Sequence, residues 1–475
     1  MFSASVLSFL GNVFRVVISF AGTLAAVRLL GAGPFGEISA VLAHTLVLHY
    51  LCTLGLDHTL PTIEDRQALR RTTFLGVLVA LTVGSAGFLI IVAAAGYRDG
   101  ATSWPAQIMA AQMVVSGSAA VLGGYFRATR RFGPLVFKDQ ILIPIGIFLS
   151  STVVLQYWGA TTLNYAAAYA MTSLAAFIFG ATLFSRADDR IDGAAPAKWK
   201  RDSIRFIVES LPVAMMSGLE VLIPWGVVLS ASYVLAPVDV GVLAILLRFG
   251  ALCSFAALAL GPIVSGALPS ILRGSLAQGV AVVQTAVAIS IAWSVGLFAA
   301  AWVFAPELRT VIGVERLPLS ALALVFSGFL LDGGFGLLKF ALITKGDRGS
   351  NAWMLIIAVV VAIGVSSAGA RFAGLVGAAY GCLLAFGVLT IMRWRRTTLL
   401  LGGPALSAPN ARALMVGSLP MISCAAWASS THDIYARAGG FLAAGAIGVS
   451  VFWALRGSAI RSLLSLYSDT MPPKA

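Results

Sequence analysis

The sequence predicts an all-α polytopic membrane protein whose helices form two similar halves. Hydrophobic residues make up 59% of the chain and charged residues only 11%, whereas soluble domains carry about 25% charged residues. The apolar residues fall in runs of about 20, the length that spans a bilayer as a helix. A second, similar pattern of runs begins near the middle of the chain. Together these features indicate a two-lobed membrane transporter.

The repeat is seen at the ends of two apolar runs. The first run holds one cation, Arg15, and ends at the turn Leu30–Gly36. The later run holds one anion, Glu220, and ends at the turn Leu235–Gly241. A single offset superposes both turns and both charges. Because six runs precede the second copy, it enters from the same side, which predicts a pseudo-twofold axis along the membrane normal.

About fourteen runs are long enough to be transmembrane helices. They are 5–29, 37–56, 72–96, 105–126, 140–158, 162–184, 206–234, 241–270, 279–304, 318–343, 352–370, 373–392, 412–430 and 438–456. We expect an N-lobe of six helices at 1–184, a cytoplasmic linker at 185–205 and a C-lobe of six helices at 206–395. Two extra C-terminal helices and a tail follow at 396–475, and these two helices either span the membrane or lie at its surface.

Loop charges predict the orientation. Most of the 32 Lys and Arg residues, Lys138 among them, fall in alternate loops. The positive-inside rule therefore places both termini in the cytoplasm. The net charge of +13 is spread over these short loops, which favours contact with anionic membrane lipids and argues against nucleic acid as a partner.

Motifs that mark catalysis are absent from the sequence. It contains no phosphate-binding Gly-x-x-x-x-Gly-Lys-[Ser/Thr] loop, no His-Glu-x-x-His and no Gly-x-Ser-x-Gly. The four cysteines are dispersed and lack the spacing of metal ligands or of a disulfide framework. We therefore expect a transporter rather than an enzyme, with no cofactor and no metal site.

Ionisable residues inside the apolar runs are the main candidates for function. A charge at bilayer depth costs about 2.5–3.5 kcal/mol on insertion scales, so it usually faces a partner or a hydrated cavity. The candidates are Arg15, Glu220, Arg248, Asp332 and Lys339. Two interpretations stay open: structural pairs, Arg15 with Glu220 and Asp332 with Lys339, or residues that line a cavity. Pro212 and Pro224 flank Glu220 and predict a bend in the seventh span.

Four stretches resemble the polysaccharide and oligosaccharidyl-lipid flippases. Arg28-Leu-Leu-Gly-Ala-Gly-Pro-Phe-Gly-Glu37 is similar to the exit of their first span, and Leu235–Gly241 to its counterpart in the second lobe. Phe304-Ala-Pro-Glu-Leu-Arg309 is similar to the turn after the ninth span. Gly374-Leu-Val-Gly-Ala-Ala-Tyr-Gly381 is similar to the twelfth span, rich in Gly and Ala. The resemblance covers most of residues 1–395. It departs from the family in reading Ala-Gly-Pro at the first turn and in adding two helices.

This resemblance implies two six-helix lobes in a V, as in the multidrug/oligosaccharidyl-lipid/polysaccharide exporter superfamily. It also implies movement of undecaprenyl-pyrophosphate-linked sugars to the periplasmic leaflet of a bacterial inner membrane, for O-antigen or exopolysaccharide biosynthesis. Such a protein would meet polysaccharide polymerase and glycosyltransferases.

A pyrophosphate needs cations, and arginine binds phosphate oxygens in bidentate fashion. We therefore expect Arg15, Arg248 and Lys339 to form a cationic cavity. Gln107 and Gln112 either hydrogen-bond sugar hydroxyls or link helices. Two other functions remain open on the same sequence: a cation-coupled multidrug antiporter, and a non-transporting scaffold of a polysaccharide assembly complex.

Overall fold

A computed structural model confirms the predicted all-α membrane fold. It describes residues 2–63, 65–99, 104–129, 131–186, 196–312, 317–428, 431 and 433–469. Every regular element in these ranges is a helix. Twelve of the described helices are long and apolar enough to cross a membrane. One of them, Arg348–Leu401, contains two predicted spans, and the helix Ala32–Thr53 occupies the place of the predicted second span.

The chain divides into two compact units. The first comprises Met1–Ser232 and Ala236–Gly241, and the second comprises Tyr233–Leu235 and Val242–Ala475. The sequence-based lobe boundaries and the pseudo-twofold axis stay predictions. Within the predicted linker 185–205, residues 187–195 lie outside the described part of the chain.

The first unit is built from seven long helices. They are α1 (Phe2–Leu30), α2 (Ala32–Thr53), α3 (Arg66–Asp99), α4 (Trp104–Ala128), the segmented α5 (Gly133–Tyr157), α6 (Thr162–Ser185) and α7 (Pro196–Ala231). Helix α4 packs against α2, α3 and α6, while α7 packs against α2 and α3. The core around α4 includes Val121, Leu122 and Tyr125, all fully buried or nearly so. Helix α7 continues through Pro212 and Pro224, and the predicted bend there stays a prediction.

The described residues from Pro237 onward form nine further helices. They are α8 (Pro237–Gly250), α9 (Phe255–Gly274), α10 (Leu276–Val303), α11 (Ala305–Ile312), α12 (Leu319–Phe335), α13 (Leu338–Thr344), α14 (Arg348–Leu401), α15 (Ala408–Ala428) and α16 (Ile434–Asp469). In the second unit α12 packs against α10 and α14, and the pair α15–α16 packs on α10. By length and composition, α15 and α16 can both cross a membrane.

Helix α14 folds back on itself at glycine. Ala373 and Gly374 leave helical geometry, and Gly374 adopts a φ of 57°, which favours glycine. The two arms then approach closely, because a Cβ on Gly369 would lie 2.2 Å from the carbonyl oxygen of Gly377. Small residues at helix crossings give such close backbone packing in membranes. The family-like stretch 374–381 is therefore the start of the returning arm.

The two repeated turns of the sequence touch each other within the first unit. A Cβ on Gly36 would lie 1.8 Å from the Pro237 carbonyl oxygen, and a Cβ on Gly241 would lie 2.1 Å from the Ala32 carbonyl oxygen. Ala32 and Pro237 are equivalent in the repeat, as are Gly36 and Gly241. The contact is thus reciprocal, like that between two symmetry-related surfaces, and glycine is needed on both sides of it.

We predict that Gly36→Ala or Gly241→Ala lowers stability by about 1–3 kcal/mol, the usual cost of forcing extra volume into packed structure. This exceeds the gain in helix propensity from Gly to Ala, which is up to about 1 kcal/mol. Thermal unfolding of the purified chain in detergent measures the effect. Gly33→Ala is the matched control, since its Cβ would meet only Val238 Cγ2, at 3.5 Å. Equal unfolding temperatures for Gly36→Ala and Gly33→Ala would contradict the prediction.

Candidate functional site

The predicted site residues fall in both units. Arg15, Gln107, Gln112 and Glu220 belong to the first unit, on α1, α4 and α7. Arg248, Asp332 and Lys339 belong to the second, on α8, α12 and α13. The shared cavity stays a prediction.

In the first unit, Arg15 forms part of an ionic group that includes α5. Its side chain is exposed and interacts electrostatically with the carboxylate of Asp139. Asp139 also accepts a hydrogen bond from the ammonium group of Lys138. Lys138 is only 1% exposed and donates a second hydrogen bond to the Ala119 carbonyl, at 3.1 Å. The group contains two cations and one anion, so its net charge is positive.

Local backbone geometry makes room for these charges. Helix α5 is interrupted by π-helical turns at Phe137–Leu142 and Ser150–Val154, a feature often found at functional sites. The first of these turns carries Lys138 and Asp139. A Cβ on Gly123 of α4 would lie 3.2 Å from Asp139 Oδ2, and a Cβ on Gly180 of α6 would lie 3.3 Å from Lys138 Cδ. The two glycines therefore form the walls around the ion pair.

Gln112 of the predicted set links two helices. Its Nε2 atom donates to Ser173 Oγ on α6 at 2.8 Å, and its Oε1 atom has no hydrogen-bond partner among the described residues. This geometry favours the interhelical role over sugar recognition. Gln107 is half-buried on the same helix, and its role in sugar binding stays a prediction.

Glu220 lies on α7 and is half-buried. Its carboxylate interacts electrostatically with the hydroxyl of Tyr50 on α2. Close by, the ring of His49 makes a hydrogen bond of 2.8 Å with Ser116 Oγ, joining α2 to α4. These groups extend the polar interior of the first unit along α2. The predicted pair between Arg15 and Glu220 stays a prediction.

In the second unit, a short 3-10 turn at Ala251–Ser254 follows α8 and positions polar groups. Ser254 Oγ donates to Asp332 Oδ2 at 2.8 Å, and Ser294 Oγ donates to the Cys253 carbonyl at 2.9 Å. Arg248 is half-buried in the last turn of α8, where the helix dipole favours a cation. Arg248 thus lies just before the turn in sequence, and Asp332 of α12 is hydrogen-bonded to the turn through Ser254.

Lys339 lies on a different helix from Asp332. Helix α12 ends at Phe335 and α13 begins at Leu338, so the two residues are separated by a break at positions 336–337. The sequence-based pairing assumed one continuous helical face. Lys339 Nζ lies 5.4 Å from the centre of the Phe340 ring. The role of both residues in a cavity stays a prediction.

A second polar group links the two arms of α14. Arg393 is 2% exposed and donates to Asn351 Oδ1 at 3.1 Å. One turn further, Arg396 donates to Asp347, which lies just before the helix, at 2.5 Å. This hydrogen bond, with another from Ser350, holds the pKa of Asp347 below its usual range. The arrangement is a structural clamp at the ends of the arms.

Sequence analysis missed the most buried cation of the first unit. It placed Lys138 among the loop cations, whereas the structure buries it inside α5, which begins several residues before the predicted 140–158 run. The adjacent Lys-Asp pair in an apolar stretch was the available signal. In the described part of the chain, no cluster of three or more His, Cys, Asp and Glu side chains has the geometry to hold a metal ion.

We predict that Lys138→Met destabilises the chain by about 3–5 kcal/mol, since removing one member of a buried ion pair leaves Asp139 without its hydrogen-bonded partner. The double variant Lys138→Met/Asp139→Leu should recover much of that loss, because neither member of the buried pair is then left without the other. Thermal unfolding of the two variants beside the wild type makes the comparison. A double variant less stable than Lys138→Met would contradict this pairing.

Comparison of the whole chain with known proteins finds similarity in structure alone. The sequence matches no known protein-family profile and no curated protein. An inward-facing multidrug resistance MATE family transporter of the MOP superfamily has a TM-score of 0.68 and 13% identity, covering 82% of this chain and 98% of that one. The lipid II flippase MurJ, in an inward closed conformation, has a TM-score of 0.62 and 12% identity, covering 98% of this chain and 100% of that one.

A further MOP superfamily transporter, from Pyrococcus furiosus Vc1, has a TM-score of 0.53 and 12% identity, and covers 84% of this chain and 94% of that one. Its description states that reverse polarity of its binding pocket suggests a different function. At these identities the comparisons show the fold and no more. The chain therefore has the fold of the MOP superfamily transporters.

Proposed function

We propose that the chain is a flippase for undecaprenyl-pyrophosphate-linked oligosaccharides. In this proposal it carries them from the cytoplasmic to the periplasmic leaflet of a bacterial inner membrane, by alternating access, for cell-surface polysaccharide biosynthesis. Both termini face the cytoplasm. Glycosyltransferases supply the substrate and a polysaccharide polymerase consumes it.

The observation that carries the proposal is the excess of cations at membrane depth on this fold. Arg15, Arg248 and Lys339 outnumber Glu220 and Asp332. The buried pair of Lys138 and Asp139 adds one charge of each sign and leaves that excess unchanged. An anionic head group gains charge-assisted hydrogen bonds from arginine, whereas a cationic drug gains none. The positive interior therefore favours a pyrophosphate-bearing substrate.

The length of this chain that each structural neighbour covers gives separate support to the proposed flippase function. The MATE neighbour covers 82% of this chain, while MurJ covers 98%. The fraction of this chain that the MATE neighbour does not cover is close to the fraction that the two C-terminal helices and tail, 396–475, make up. MurJ is a flippase of a lipid, lipid II. A chain with the same extra length is thus suited to a lipid-linked cargo.

A multidrug antiporter is the second candidate, because the MATE neighbour has the higher TM-score, 0.68. Pocket polarity separates the two functions. For the P. furiosus transporter, reverse polarity of the binding pocket suggests a different function, which supports charge as the property that separates the two candidates. A scaffold without transport would not need charges at this depth, given their insertion cost.

We predict that Arg15→Gln/Arg248→Gln lowers flipping of a fluorescent undecaprenyl-pyrophosphate oligosaccharide in proteoliposomes about 100-fold. Each arginine–phosphate contact contributes about 1.5–3 kcal/mol, and the loss of two contacts at the lower end of that range, about 3 kcal/mol, corresponds to roughly that factor. Arg273→Gln/Arg371→Gln is the matched control, with the same charge change at two exposed positions.

The same vesicles distinguish the candidate functions. We expect the wild-type protein to transport the glycolipid and not to transport a cationic dye. Dye transport coupled to a proton or sodium gradient, without glycolipid flux, would replace the proposal with the antiporter. Equal glycolipid flux in the arginine pair variant and its control would refute the cationic cavity.

A further inference from the structure

We infer that the second unit carries a separate binding site for a phosphate-bearing lipid head group, at the ends of α10 and α15. A cavity of about 360 Å³ lies there. It is lined by Trp302, Pro306, Arg309, Leu319, Thr431 and Arg437, among others. None of the residues assigned to transport above belongs to it, so this inference stands independently of the proposed function.

The first guanidinium of this site is held in place by the protein. Arg437 is 5% exposed. Its Nη1 atom donates to the Val303 carbonyl at 3.1 Å, and its Nη2 atom donates to the carboxylate of Glu307. Its buried Nε atom has no hydrogen-bond partner among the described residues. Two hydrogen bonds therefore fix the side chain, and the buried Nε–H donor remains to be satisfied.

The second guanidinium gives the cavity its charge. Arg309 is half-buried in the last turn of α11, and its buried Nε atom also finds no acceptor in the described part of the chain. Among the described residues of the site, the two arginines and the carboxylate of Glu307 give a net charge of +1. Buried donors without acceptors are costly, and a phosphate oxygen would satisfy them with the planar geometry that arginine prefers.

The surroundings identify a lipid rather than a soluble anion. Trp302, Leu319 and Pro306 give the cavity an apolar wall. Helix α10 ends at Val303, α15 ends at Ala428 and α16 begins at Ile434, so the cavity lies where three helices end. Spanning helices end at head-group level, where tryptophan is also enriched. Basic pockets between transmembrane helices bind anionic head groups on the cytoplasmic side, and arginine offers a phosphate the same charge-assisted hydrogen bonds at the opposite surface. The loop charges predict that this end faces the periplasm, which would place the lipid in the outer leaflet.

Native mass spectrometry of the full chain, with added phosphatidylglycerol, tests this inference. We expect one phosphatidylglycerol to bind the wild type, and Arg309→Gln to bind it about tenfold more weakly, since one charge-assisted hydrogen bond is lost. Arg309→Lys should restore part of the affinity, because the charge returns without the guanidinium fork. Arg371→Gln, an exposed arginine of the same unit, is the matched control and should bind as the wild type does.

Two further probes decide the chemistry. Diacylglycerol with the same acyl chains should bind much more weakly, because it lacks the phosphate. Binding of phosphatidylglycerol to Arg309→Gln at wild-type strength, or equal binding of diacylglycerol, would overturn the site. Inorganic phosphate that displaces phosphatidylglycerol from the wild type at equal concentration would assign the same arginines to a soluble phosphate and overturn the lipid assignment. Because Arg309 is outside the transport set, a loss of lipid binding with normal glycolipid flux would separate this inference from the proposed function.

Discussion

Charge inside an apolar helix bundle must be paired, hydrogen-bonded or hydrated, and the first unit is organised by that constraint. Lys138 reaches the interior with 1% of its surface exposed. Its ammonium group is compensated by Asp139 and by the Ala119 carbonyl. The π-helical turn of α5 brings the pair inward, and Gly123 and Gly180 leave space for it. An uncompensated ammonium at this place would cost several kcal/mol.

The second unit meets the same constraint with other partners. Asp332 is hydrogen-bonded by Ser254, Arg393 donates to Asn351, and Arg437 donates to Val303 and Glu307. These contacts join helix ends and arms that are distant in sequence. Where protein partners satisfy every donor, the charge is structural. Where a buried N–H donor has no acceptor among the described residues, as at Arg437, a ligand oxygen can accept the hydrogen bond.

Much of the fold could be predicted from sequence, because hydropathy is local and bilayer thickness fixes helix length. Each of the fourteen apolar runs overlaps one or more described helices, although the runs 241–270 and 318–343 are each divided between two helices, and the repeated turns proved to contact each other through Gly36 and Gly241. The burial of Lys138 could not be predicted in this way. A hydropathy average counts a lysine against a span, whereas its actual cost depends on a partner supplied by folding.

The candidate site was predictable in composition and less so in geometry. The rarity of charge in the apolar runs singled out Arg15, Arg248 and Asp332 from sequence alone. Two features depend on tertiary contacts that the sequence does not display. A helix break separates Asp332 from Lys339, and Gln112 donates a hydrogen bond to Ser173. The proposed function requires Arg15 to face water at membrane depth. In a variant without the four native cysteines, labelling of Arg15→Cys by a membrane-impermeant thiol reagent measures this accessibility. We expect labelling comparable to that of Arg371→Cys, with protection by the pyrophosphate lipid; labelling as low as that of buried Ala299→Cys would show that the position is sealed from water.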